Sequence, residues 1–96
     1  ASSLSTLSEL VKTQLDSGKR RILIDFEKTK FVDSYGVGEL IASYTSIQNL
    51  GGMFKVCQLP DVLLLQFKIT MLDKVFKVYP TEKAALEAFA DPSAPR

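Results

Sequence analysis

Apolar residues from Leu4 onward fall at Leu4, Leu7, Leu10, Val11 and Leu15, a three-and-four spacing that predicts a helix with one buried stripe and a stop at Gly18. The pattern then changes. Arg21-Ile22-Leu23-Ile24-Asp25-Phe26 is a short aliphatic run between polar turns, which suits a buried parallel strand. Val37, Leu40, Ile41, Tyr44 and Ile47 restore helical spacing and predict a second helix over about 35–50, closed by Gly51-Gly52. Residues 53–59 read as another strand. Pro60-Asp61 opens a third helix to about Ile69, because proline is tolerated in a first turn that has no use for its N–H. Phe76-Lys77-Val78-Tyr79 predicts a last short strand, and Thr81 the cap of an alanine-rich helix through about Phe89.

This order of helix, strand, helix, strand, helix, strand, helix predicts an α/β fold, a small, mainly parallel sheet with helices packed on it. A chain of 96 residues suits one core, so the expected organisation is one domain over residues 1–90 and a frayed tail over 91–96. Three short strands in a chain that opens on a helix leave an edge strand in need of cover.

Twelve basic and eleven acidic residues leave a charge of +1, without the concentrated positive face that nucleic acid requires. The chain has no histidine, which excludes Ser-His-Asp and Cys-His catalysis and any histidine-held metal. Cys57 is the only cysteine, so no internal disulfide forms, and its apolar strand makes it a small buried hydrophobe in a reducing compartment. The longest apolar run is the four residues Val62 to Leu65, and the first residues lack a leader's basic-then-apolar order. Neither a membrane span nor a signal peptide is expected.

Candidate chemistry gathers in Phe31-Val32-Asp33-Ser34-Tyr35-Gly36-Val37-Gly38, where a strand-to-helix loop enters the second helix. Ser34 reads as the helix N-cap, and Gly36 and Gly38 as positions where another backbone could approach closely. A phosphate on Ser34 would meet the positive end of the helix dipole and, against it, the charge of Asp33. From spacing alone, Ser34 is either a plain cap or a charge switch. Weaker readings use neighbouring residues. Gly36-Val37-Gly38 begins like a dinucleotide fingerprint, but Ile41 stands where its third glycine belongs. The serine has no base to make it a nucleophile. Asp25 with Asp33 could hold a divalent cation, although two separated carboxylates more often form a solvated edge. The run Val62-Leu63-Leu64-Leu65 is apolar on more than one helix face, so part of it faces the core and part is free for docking.

Ile22-Leu23-Ile24-Asp25-Phe26, then Asp33-Ser34-Tyr35-Gly36-Val37-Gly38, then Asn49-Leu50-Gly51-Gly52 and Ile69 to Phe76 together resemble the STAS domains of bacterial anti-sigma factor antagonists. The resemblance runs from about Ser3 to Phe89. It implies a non-enzymatic, cytoplasmic binding protein in a partner-switching circuit, with no cofactor or metal. The unphosphorylated form would bind an anti-sigma factor that is also a serine kinase of the histidine-kinase-like ATPase fold, releasing a sigma factor. Phosphorylation of Ser34 would end that binding, and a metal-dependent serine phosphatase would restore it. Asp25, Asp33, Ser34, Tyr35, Gly36 and Gly38 are the implied contact residues. The chain departs from the family in Tyr35, which stands where a second hydroxyl residue is common, and in the leucines of the third helix. It also lacks the family's additional N-terminal strands, which implies either preceding sequence or cover by a second copy in a homodimer. A non-catalytic scaffold in a larger signalling or transport assembly is the alternative role.

Overall fold

The computed structural model describes residues 7–90. Its elements are α1 (Leu7–Asp16), β1 (Arg21–Asp25), α2 (Ser34–Asn49), β2 (Met53–Cys57), α3 (Asp61–Ile69), a 3-10 turn at Leu72–Lys74, β3 (Val78–Tyr79) and α4 (Glu82–Ala90). The three strands are parallel and lie in the order β1-β2-β3, with Val56 opposite Val78 and Cys57 opposite Tyr79. The α/β class with a small parallel sheet is therefore observed, with all three strands shorter than expected, β1 by Phe26 alone. Gln58 has a left-handed φ of 58° and ends β2 two residues early, and β3 keeps only Val78 and Tyr79.

The residues divide into two compact units, one of 7–22 with 32–54 and the other of 23–31 with 55–90. In the first, α1 packs on α2. Leu7, Val11 and Leu15 supply the buried stripe of α1, whereas Leu10 is 61% exposed; Leu4 lies outside the described residues. The helix stops where expected. Gly18 takes φ 94°, and Arg20 Nη1 donates to the terminal carbonyl of Leu15 at 2.9 Å.

The α2 stripe differs from the expected one. Its buried residues are Gly36, Leu40, Ser43 and Ile47, while Ile41 is 44% exposed and Val37 and Tyr44 are half-buried. Helical spacing allows either row, and two small residues, Gly36 and Ser43, let the helix sit close on the face that apolarity alone did not mark. Tyr44 still contributes, with its ring 6.2 Å from that of Phe54.

The second unit is built on aromatic packing. Phe67 of α3 lies 5.9 Å from Phe26, edge to face, and 6.3 Å from Phe76, all three buried. Leu63 is fully buried in the same helix, and Ala85 and Phe89 line the inner face of α4. Thr81 caps α4 as expected, accepting from the Ala84 N–H at 3.0 Å. β1 departs from the buried strand expected for it: Ile22, Leu23 and Ile24 are half-buried, because among the described residues only β2 flanks this strand. β2, in the middle, buries Phe54, Lys55, Val56 and Cys57.

Candidate functional site

The loop after β1 enters α2 through Asp33, and this residue rather than Ser34 is the N-cap. Its backbone is extended, φ −77° and ψ 177°, and its Oδ1 accepts from the Gly36 N–H at 2.8 Å while its carbonyl accepts from Val37 N–H at 2.9 Å. The expectation that Ser34 caps the helix is corrected by one position. Asp and Ser cap equally well, and the extended turn falls at Asp33. Ser34 thus occupies the first helical position, exposed, and its hydroxyl engages no group among the described residues.

The rest of the motif surrounds that hydroxyl with small or open positions. Tyr35 is 61% exposed and Gly38 is exposed, and a methyl added to Gly38 would meet nothing within 4 Å. Gly36, by contrast, is buried. Along the exposed side of α2, Tyr35, Gly38, Ile41, Ala42 and Thr45 carry no charge. Asp33, Ser34, Tyr35, Gly36 and Gly38 are thereby gathered on the first turns of one helix.

Asp25 belongs to the other unit and is engaged there. Its Oδ1 accepts from the Glu27 N–H at 2.9 Å and its Oδ2 from Gln58 Nε2 at 2.6 Å, which ties the end of β1 to the residue that ends β2. Both oxygens of Asp25 are used in this turn chemistry, a structural employment that the sequence motif did not reveal. Among the described residues no cluster of three or more cysteines or carboxylates is placed to hold a metal. A cavity of about 560 Å³, lined by Leu59, Leu64, Asp73, Lys77, Tyr79 and neighbours, includes none of the candidate residues.

One residue escaped the sequence reading. Lys55 is fully buried in the middle strand, its Nζ donating to the Tyr79 hydroxyl at 3.3 Å and lying 5.2 Å from the Tyr79 ring and 5.4 Å from that of Phe89. A lysine between Phe54 and Val56 in a strand covered on both faces was the available signal.

A STAS domain profile matches residues 1–85. The chain belongs to the STAS domain family. Among relatives, an anti-sigma F factor antagonist from Paenibacillus polymyxa is 27% identical over 84 residues, covering 82% of this chain and 72% of that protein. A Thermotoga neapolitana protein with a provisional anti-sigma factor antagonist designation is 29% identical over 73 residues; the chain spans 65% of its length. Of solved structures, an anti-sigma factor antagonist from Mycobacterium paratuberculosis shares 27% identity and superposes with a TM-score of 0.77, covering 90% of this chain and 73% of the other. A Thermotoga maritima structure reaches a TM-score of 0.79 at 22% identity, over 92% and 79% of the two chains, a likeness of fold. This STAS chain also has no helix, among the described residues, long and apolar enough to cross a membrane.

Proposed function

We propose that this STAS domain is an anti-sigma factor antagonist whose binding is switched at Ser34. The observation that carries the reading is the position of the hydroxyl: exposed, at the first residue of α2, directly after a capping carboxylate and beside the open Gly38. The similarity to proteins named as anti-sigma factor antagonists supports the partner class, an anti-sigma factor. In the resemblance that partner is also the serine kinase, and a metal-dependent serine phosphatase reverses its action.

The local physics supports a switch. The unmodified end of α2 offers a neutral hydroxyl, the Tyr35 ring and the uncharged side of the helix, which suits a partner surface that loses water on contact. A phosphoserine adds about −1.5 to −2 charges. The helix dipole tolerates that charge, but Asp33 already occupies the Gly36 donor and repels it. The modified end therefore stays folded and becomes strongly anionic. Binding fails because a dianion would be buried against a surface built for a hydroxyl. On this reading the domain binds, and the chemistry belongs to its partners.

The test is intact-mass analysis of wild type and Ser34→Ala after incubation with ATP and each candidate anti-sigma kinase, with binding measured in parallel. One phosphate on wild type, none on Ser34→Ala, and binding retained by Ser34→Ala but reduced at least about tenfold in Ser34→Asp are the expected results. Equal binding by Ser34→Ala and Ser34→Asp would remove the switch. A scaffold role is the second reading, favoured by the exposed apolar residues of α3, and a stable complex indifferent to both substitutions would support it.

A further inference from the structure

Helix α3 carries two apolar faces. Leu63 and Phe67, four residues apart, are buried. On a different side, Val62, Leu65 and Ile69 are 70%, 58% and 72% exposed. Their spacing of three and four aligns them in one ridge, the a-d-a pattern of a helix that packs on another helix. The charges beside the ridge are also ordered. With about 100° per residue, and Leu65 taken as the centre, Val62 and Ile69 lie about 40–60° to one side while Asp61 and Lys68 lie about as far to the other. Asp61 and Lys68 are both exposed and engage no partner among the described residues. Seven residues, about 10.5 Å of rise, keep them from pairing with each other.

We propose that this ridge is a homodimer interface in which α3 packs antiparallel on α3 of a second copy. A two-fold axis perpendicular to the helix and passing beside Leu65 sets Leu65 on Leu65, Val62 on the second copy's Ile69, and Asp61 against the second copy's Lys68, twice. The alternative parallel pairing sets each charged side chain against an aliphatic one. The acid at the N-terminal end and the base at the C-terminal end thus make the ridge complementary to itself in one orientation. Nine residues give a helix only about 13.5 Å long, so the contact is smaller than a standard interface and the dimer forms in the micromolar range. This inference is independent of Ser34 and its switch.

Sedimentation velocity between about 5 and 500 µM tests it. Wild type should pass from monomer to dimer as concentration rises. Leu65→Glu, at an exposed position and with its fold checked by circular dichroism, should raise the dissociation constant at least about tenfold. Asp61→Lys and Lys68→Asp should each raise it severalfold, and the double variant should return to within about twofold of wild type. That recovery separates this interface from pairing along the edge of β1. A protein monomeric throughout, a dimer unmoved by Leu65→Glu, or a double variant no better than either single one would overturn the proposal.

Discussion

Asp33 and Ser34 are adjacent, yet only Asp33 caps α2. Its carboxylate holds the Gly36 N–H, so Asp33→Ala should cost about 1 kcal/mol of folding stability in urea unfolding, while Asp33→Asn, which keeps an accepting oxygen, should lose only a few tenths. If both variants unfold like wild type, the cap contributes nothing. Cys57 makes a prediction with pH. Burial first, then the charges of Asp25 and Glu82, holds its thiol above the ordinary value of 9.0. The native state keeps the proton where the unfolded chain releases it, so this contribution to stability is intact below the unfolded pKa and is lost as pH rises through the folded one. Wild type should therefore lose stability relative to Cys57→Ala as pH rises from about 8 to about 10; a difference independent of pH would contradict this. Ser34 was legible in the sequence as the candidate acceptor, but that Asp33 and not Ser34 caps the helix was not, since a run of Asp and Ser offers two equivalent caps and backbone geometry selects between them.

At the scale of elements, the connection from α2 to β2 depends on two glycines with different tasks. Gly51 supplies a positive φ of 73°, and Gly52 donates to the Ile47 carbonyl at 2.8 Å. A methyl on Gly52 would lie 2.7 Å from the Arg20 carbonyl oxygen and 2.8 Å from Ile47 Cγ2, and the first of these is backbone that cannot move aside. Gly52→Ala should destabilise by about 1–3 kcal/mol in urea unfolding, and a midpoint equal to wild type would show that the strands separate there without penalty. The Gly-Gly stop was readable from sequence because it punctuates a helical pattern. The buried side of α2 was not readable. Ile41 is more apolar than Ser43, yet Ser43 is inside, because close packing rewards a small residue facing a neighbour and hydropathy does not record distance.

At the scale of the molecule, the sheet has a protected middle and, among the described residues, an open side. The Phe26 N–H donates to the Cys57 carbonyl at 3.0 Å and Met53 N–H to the Arg20 carbonyl at 2.7 Å, and the alternation of a parallel ladder then turns the amides of Leu23 and Asp25 away from β2. Hydrogen exchange followed by NMR should find those two amides fast and the amides of Val56 and Cys57 among the slowest. Slow exchange at Leu23 and Asp25 would mean that a further strand, from this protein or another, covers that edge in solution.

Periodicity, turn residues and caps act over a few neighbouring positions, and for that reason the order of elements, the parallel α/β class and the small loop motif at the head of α2 were all determined by sequence alone. The family resemblance rested on the same local features. Tertiary structure decided what depends on residues far apart in the chain: the exposure of β1, the inward turn of Ser43, the engagement of Asp25 by Gln58, and the burial of Lys55 against Tyr79 and Phe89. It also decided which leucine of α3 belongs to the core. Leu63 and Leu65 are the same residue type two positions apart, and the packing of α3 puts Leu63 with Phe67 inside and leaves Leu65 to solvent.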